Sequence, residues 1–140
     1  MKNIFIVLLA VMVASLSANC QLKITEAAKK AFASMFPSAT NVKWENENAN
    51  EYEANFKLNN VNVSANFKHD GTWMETETTI NTKELPAAVT NAINTKYPGA
   101  SYTRAEKIEK PGGKTMYEAV INIKGKKKEM EINSDGSFAE

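Results

Sequence analysis

Apolar and polar residues alternate along most of this chain, and two stretches break the alternation with helical spacing. Over 51–58, Tyr52, Ala54, Phe56 and Leu58 are separated by Glu51, Glu53, Asn55 and Lys57, the pattern of a strand with one face buried and the other wet. Val61, Val63, Ala65 and Phe67 continue that pattern on the return, and the Asn59-Asn60 pair between them suits the positive φ of a two-residue hairpin. Asp70-Gly71 predicts a second tight turn, after which Trp73 opens a short fourth strand. Upstream, Asn41-Val42-Lys43-Trp44-Glu45 reads as a strand with Val42 and Trp44 inward, and 46–50 as the turn that follows. Before it, Ala27, Ala31 with Phe32, and Met35 fall on one face of an amphipathic helix over 25–35, capped by Thr25 and ended by Pro37.

The same outline recurs downstream. Tyr52-Glu53-Ala54 is answered by Tyr117-Glu118-Ala119 and Asp70-Gly71 by Asp135-Gly136, both at an offset of 65 (117 − 52 and 135 − 70). Phe36-Pro37-Ser38-Ala39 is answered by Tyr97-Pro98-Gly99-Ala100 at 61 (97 − 36), and the difference of four is assigned to an insertion at Lys110-Pro111-Gly112-Gly113. Leu85-Pro86 opens a second helix with the stripe Val89, Ala92, Ile93 and Tyr97. Strands then place Tyr117, Ala119, Ile121 and Ile123, and later Met130 and Ile132, inward around a Lys124-Gly125 turn, with Phe138 in the place of Trp73. The expected fold is α+β: a tandem repeat of a helix plus four-stranded antiparallel meander, with 21–80 and 81–140 as units sharing one core and both helices on one face of a combined sheet. A unit of roughly 60 residues buries too little apolar surface to be comfortable alone. The combined sheet is eight-stranded, or two four-stranded halves side by side, and its other face is polar and open.

The first twenty residues stand apart. Lys2, an apolar run from Ile4 to Ala14, and the small and polar Ser15 to Cys20 form the layout of a secretory signal peptide over 1–20. The run is shorter than the ~18 apolar residues that span a bilayer, so the expected destination is periplasmic or secreted, with no transmembrane segment left after signal removal. Cleavage after Cys20 leaves Gln21 first and discards the only cysteine. The competing reading, a lipoprotein anchored through Cys20, meets Asn19 where a small residue is usual. Either way no disulfide forms within one chain, and the core alone must hold the fold.

Charge narrows the partners. Residues 21–80 carry six basic and eight acidic groups and 81–140 carry ten and eight, so neither half offers the basic surface that nucleic acid requires. The sole histidine, His69, lies beside Asp70 at a turn, without the ligand cluster of a transition-metal site. A serine–histidine mechanism would have to rest on that one imidazole. Glu51 and Glu53 read as solubilising carboxylates, and the Asp-Gly turns lack the alternating oxygens calcium needs. The sequence therefore predicts no enzyme, no metal and no cofactor.

The signal, the helices ending in Phe36-Pro37 and Tyr97-Pro98, Trp44-Glu45, the Tyr-Glu-Ala strand openings and the paired Asp-Gly turns together resemble the PepSY-like, β-lactamase-inhibitor-like family of secreted bacterial proteins. The resemblance covers essentially the whole chain after the signal. It implies a fold like that of β-lactamase inhibitory protein, in which an open sheet face grips an enzyme, and it carries over no catalytic residue. The expected function is a non-catalytic exported module that binds a protein of the envelope or extracellular space, with inhibition of an enzyme or peptidase as its narrower form. The alternative is a small-ligand carrier or sensor of the envelope, which requires an apolar cavity between helices and sheet.

Candidate contacts are sought where the two halves differ. Tyr102 aligns with polar Asn41, and Arg104 two residues on shares its side of a regular strand. Tyr and Arg are enriched in binding hot spots, so the pair is a candidate anchor, weighed against an ordinary cross-strand pair. Lys124, Lys126, Lys127 and Lys128 form the densest basic run, suited to an acidic partner or to blunting a hairpin against edge-to-edge aggregation. Because Lys126 and Lys128 replace Val61 and Val63, that hairpin tip is expected to project beyond the core.

Overall fold

A computed structural model describes residues 23–139; the expected signal peptide, with Cys20, and Gln21 lie outside the described residues. The elements in chain order are α1 (Glu26–Met35), β1 (Thr40–Asn48), β2 (Glu51–Leu58), β3 (Val61–Lys68), β4 (Trp73–Ile80), α2 (Ala87–Lys96), β5 (Ser101–Lys110), β6 (Lys114–Ile123) and β7 (Lys126–Asn133). Thr25 caps α1, its Oγ1 accepting from the Ala28 N–H at 3.3 Å, and Pro37 stops the helix after Phe36. α2 starts after Pro86, which stands at the cap position with extended backbone. A 3-10 turn over Thr82–Glu84 precedes it, held by a reciprocal cap: the Asn81 N–H donates to Glu84 Oε2 at 2.7 Å and the Lys83 N–H to Asn81 Oδ1 at 3.0 Å. The two-residue turns take positive φ, 51° and 65° at Asn59 and Asn60 and 49° and 84° at Lys124 and Gly125, matching the twist of the strands they join.

The strands form one seven-stranded antiparallel sheet in the order β1 to β7. This corrects the expected tandem repeat of a helix plus four-stranded meander, in both its eight-stranded and its two-half forms. Trp73–Ile80 is not a short closing strand: its eight residues pair with β3 on one edge and with β5 on the other, from Thr76 opposite Glu109 to Ile80 opposite Ala105. Beyond β7 the chain turns at Asp135-Gly136 and makes a single bridge, Phe138 to Ile132. Phe138 is used for packing instead, beneath Lys96 of α2, whose Nζ stands 3.9 Å above its ring. Three strands therefore follow α2 in place of four.

Both helices lie on one face, over two hydrophobic clusters of different chemistry. Under α1 the cluster is aromatic: the Phe32 ring lies 5.0 Å from Phe56, 5.3 Å from Trp44 and 6.2 Å from Phe67, mostly edge to face, a geometry that adds to area burial. Truncating such a buried phenylalanine costs ~3–5 kcal/mol. Under α2 the cluster is aliphatic, with Val89, Ile93, Ile121 and Ile132 fully buried around Ala105 and Ala119.

Each helix is also seated on a turn. Gly71 (φ +89°) and Gly136 (φ +90°) pass so close to the helices that a Cβ on either would stand 2.7 Å from a helix carbonyl oxygen, that of Ala27 or of Ala88. The contact at α1 is reinforced by Thr25 Oγ1, which donates to the His69 carbonyl at 2.7 Å. Gly71→Ala or Gly136→Ala, combining left-handed strain with a backbone clash, is expected to lower stability by about 2–4 kcal/mol. Gly99→Ala shares the positive φ but meets nothing within 4 Å, and should cost only ~1 kcal/mol. Urea unfolding compares the three; equal losses would show that the helix contacts contribute nothing.

Candidate functional site

The face opposite the helices is left uncovered by any described element, and the strand register defines what it displays. One row runs across the sheet through Asn55, Ser64, Glu77, Ile108, Met116 and Asn133. On one side of it lie Glu53, Asn66 and Glu75, on the other Thr79, Glu106, Glu118 and Glu131, and beyond those Arg104, Val120 and Glu129. From β1 across to β6 this face forms a trough of about 960 Å³ whose walls include Lys43, Asn55, Asn62, Thr79 and Glu106. The face is not uniformly polar: beside the trough, in the row of Glu77, Ile108 and Met116 are 0% and 2% exposed, with charged side chains in the rows on either side.

Carboxylates and cations share this face, and Lys43 and Lys57, which line the trough, make no ion pair among the described residues. Arg104 is bound to Glu118 and, at 3.1 Å, to Glu129, and Lys110 is bound to Glu75 at 3.0 Å. Among the described residues, no lysine or arginine nitrogen comes within the 4.0 Å of an ion pair to Glu53, Glu77 or Glu106. They receive neutral donors instead: Ser64 donates to Glu77 at 3.3 Å, Thr79 to Glu106 at 3.3 Å and Asn55 to Glu53 at 3.0 Å.

The consequence is legible in Glu77. Burial beside Ile108, with the nearby charges of Glu106, Glu75 and Glu118 acting in the same direction, pushes its carboxyl from the ordinary 4.5 up to about 7 against the Ser64 hydrogen bond. The Arg104–Glu118 pair shows two opposed tendencies. The bond to Glu118 holds the guanidinium further into its charged form, while burial pushes the Glu118 carboxyl up despite that bond. The asymmetry follows from depth, since the Glu118 side chain is 12% exposed and that of Arg104 48%. The carboxylate pays most of the desolvation, and the pair persists as an ion pair that is costly to Glu118.

The residues singled out by sequence do not form one site. A bulge at Thr103 shifts the register, so that Tyr102 pairs with Ile121 and Arg104 with Val120, and alternation is broken between them. Tyr102 therefore lies on the helix side, donating to the Thr90 carbonyl at 3.3 Å and to Asn94 Oδ1 at 2.9 Å, while Arg104 lies on the open face. Lys124 occupies the β6–β7 turn, Lys126 and Lys128 point to the helix side opposite Ile123 and Ile121, and Lys127 points to the open side opposite Asn122. Lys128 Nζ stands 5.6 Å from the Tyr97 ring. The residues that sequence reasoning missed are Glu77, Glu106 and Glu118, with Ile108 and Met116 beside them. Only cross-strand register brings them together, although the alternation Glu75-Thr76-Glu77 was available as a sign.

The family model described as "Putative beta-lactamase-inhibitor-like, PepSY-like" matches residues 50–140. The chain belongs to the PepSY-like family. No curated protein matches the sequence. Solved structures share the PepSY-like chain's fold: a protein of Bacteroides eggerthii described as among "putative periplasmic proteins" (TM-score 0.75, 19% identity, 85% of this chain and 88% of that one), a DUF2874 family protein of Bacteroides ovatus (0.73, 20%, 85% and 86%) and a BLIP-like protein of Bacteroides fragilis (0.69, 24%, 85% and 85%). In the PepSY-like chain no helix among the described residues is long and apolar enough to cross a membrane.

Glu77 makes the stability of this PepSY-like protein depend on pH with a definite sign. Its folded pKa lies above the ordinary value, so its contribution is fully present below 4.5 and is lost as pH rises through about 7. Asp70 and Asp135, held down by hydrogen bonds from Thr72 and Ser137, titrate below that window. Because Glu77 is only half buried, screening reduces the nominal shift to about 1–2 kcal/mol. Glu77→Gln is therefore expected to stabilise the protein by about that amount at pH 8 and to flatten the fall between 4.5 and 7. Denaturation curves at stepped pH measure it, and a variant that keeps the native profile would place the titration elsewhere.

Proposed function

We propose that this PepSY-like protein is a non-catalytic module of the periplasm or extracellular space that holds a protein partner on its strand-only face, with inhibition of an enzyme or peptidase as the form this takes. The observation that carries the reading is the trough itself: about 960 Å³ of open concavity on the one broad face that neither helix covers. A protein that had only to fold would gain little from a concave face set with half-desolvated carboxylates, whereas a binding surface gains specificity from them. The BLIP-like neighbour supports the fold-level analogy, and the signal-peptide pattern over 1–20 supports export. The Lys124 to Lys128 tip flanks the face and is a secondary contact in this reading. The carrier alternative has less room: the concavity by Met35, Phe36 and Trp73 measures about 420 Å³.

Photo-crosslinking in the native envelope tests the proposal. A crosslinking residue at Asn55, on the trough wall, is expected to give a discrete protein adduct, and the adduct should be lost when Asn62→Trp fills the trough. The same crosslinker at Asn91, exposed on α2, should give none. An adduct from Asn91 alone would move the binding surface to the helices and sink this reading.

A further inference from the structure

We infer that the outer edge of β7 at Lys127 and Glu129 takes an acidic segment of a protein partner as an added antiparallel strand. The inference goes beyond the open-face reading and does not depend on it, because the edge is made of backbone groups and of lysines outside the trough.

The protein already uses this edge itself. Past the Asp135-Gly136 turn the chain returns along β7: the Asn133 N–H donates to the Ser137 carbonyl at 2.8 Å, the Ala139 N–H donates to the Glu131 carbonyl at 3.0 Å, and Phe138 bridges to Ile132. The backbone groups of Glu131 and Asn133 therefore point away from β6. Alternation along a strand points those of Lys127 and Glu129 the same way, and among the described residues no backbone bond from another segment reaches them. The ladder behind this stretch is regular, running from Met116 opposite Asn133 to Ile123 opposite Lys126 without a register shift. The other edge of the sheet is broken: β1 has irregularities between Thr40 and Lys43 and between Asn46 and Asn48, and Asn41 takes a φ of 56°. Bulges of that kind discourage a further strand.

Side-chain charge selects the occupant. Lys124, Lys126, Lys127 and Lys128 are all exposed, and none makes an ion pair among the described residues. The acidic residues that follow them on β7 are engaged elsewhere, Glu129 with Arg104 at 3.1 Å and Glu131 with Lys110 at 3.9 Å. Lys126 and Lys128 share the helix side with Lys96 of α2, and the Lys96 and Lys128 Nζ atoms approach the Tyr97 ring to 5.8 Å and 5.6 Å. Lys127 stands on the open side. A strand with carboxylates at alternate positions sets them against Lys126 and Lys128 while its main chain pairs with that of Lys127 and Glu129. Edge lysines repel a basic strand and disfavour an apolar one. For an acidic strand the same charges attract, so they discriminate among partners instead of closing the edge to all of them.

The probe is a short end-capped peptide alternating glutamate and valine, titrated into the mature chain by amide NMR at low salt. Its shifts are expected to centre on Lys127 and Glu129, and exchange of those two amides should slow. A peptide with lysine in place of glutamate should not bind, and neither should the glutamate peptide with alternate backbone nitrogens methylated, which keeps its charge but cannot pair. Replacing Lys124, Lys126, Lys127 and Lys128 with alanine should weaken binding about tenfold. Lys127→Pro removes an outward N–H but no donor to β6, and should weaken it about fivefold. Asn62→Trp, in the trough, should leave the affinity within about twofold, which separates the edge from the open-face function. Melting curves establish that the variants remain folded, and if Lys127→Pro does not, the methylated peptide makes the same comparison on the native chain. Equal binding of the methylated peptide would reduce the edge to simple charge attraction and overturn the inference. Shifts centred on Lys43 and Lys57 would overturn it too, as would binding of anionic phospholipid vesicles by the lysine tip with none of the peptide.

Discussion

The ladder between β4 and β5 is the connection on which the rest of the molecule depends. On one side of it lies an aromatic cluster under α1 and on the other an aliphatic cluster under α2, and each alone would be a small unit with little apolar surface to bury. Because β4 is eight residues long and pairs along both edges, the two clusters become parts of a single sheet. The register of that ladder also decides the chemistry of the open face. It places Glu77 opposite Ile108 and Thr79 opposite Glu106, bringing carboxylates from separate halves of the chain within range of one another.

The two faces then divide the work. The helix side carries most of the buried apolar residues, and two glycine turns fit against the helix backbones there so closely that no side chain could be added without strain. The open side does the opposite. It keeps two buried apolar side chains, Ile108 and Met116, with carboxylates in the rows around them, and burial opposes the ionisation of Glu77. A half-desolvated Glu77 titrating near 7 is a local cost to the fold above neutral pH. Groups perturbed in this way are found more often at functional sites than elsewhere.

Several elements could be read from residue pattern alone. The alternation in 51–67, the Asn59-Asn60 turn, the Thr25 cap and the Pro37 stop are local devices, and each corresponds to an element in the structure. The candidate site was not local. Tyr102 and Arg104 are two residues apart and would share a side in a regular strand, but the extra residue at Thr103 sends them to opposite faces. A bulge has no composition that marks it, and it depends on what the partner strand β6 requires. The expectation of a fourth strand in the second half failed for a related reason. Phe138 has the spacing of Trp73, yet it makes one bridge and packs against α2.

The sequence by itself determined which residues alternate, where the chain turns, where helices start and stop, and the family to which the chain belongs, because these depend on neighbours a few positions away. Only the tertiary structure decided that there are seven strands and that β4 joins the halves. It also decided that Glu53, Glu77 and Glu106 line one trough while Tyr102 lies on the other face. Pairing register couples positions dozens of residues apart through backbone hydrogen bonds common to every residue type, so it leaves little trace in side-chain pattern. The charge environment of the open face follows from that register.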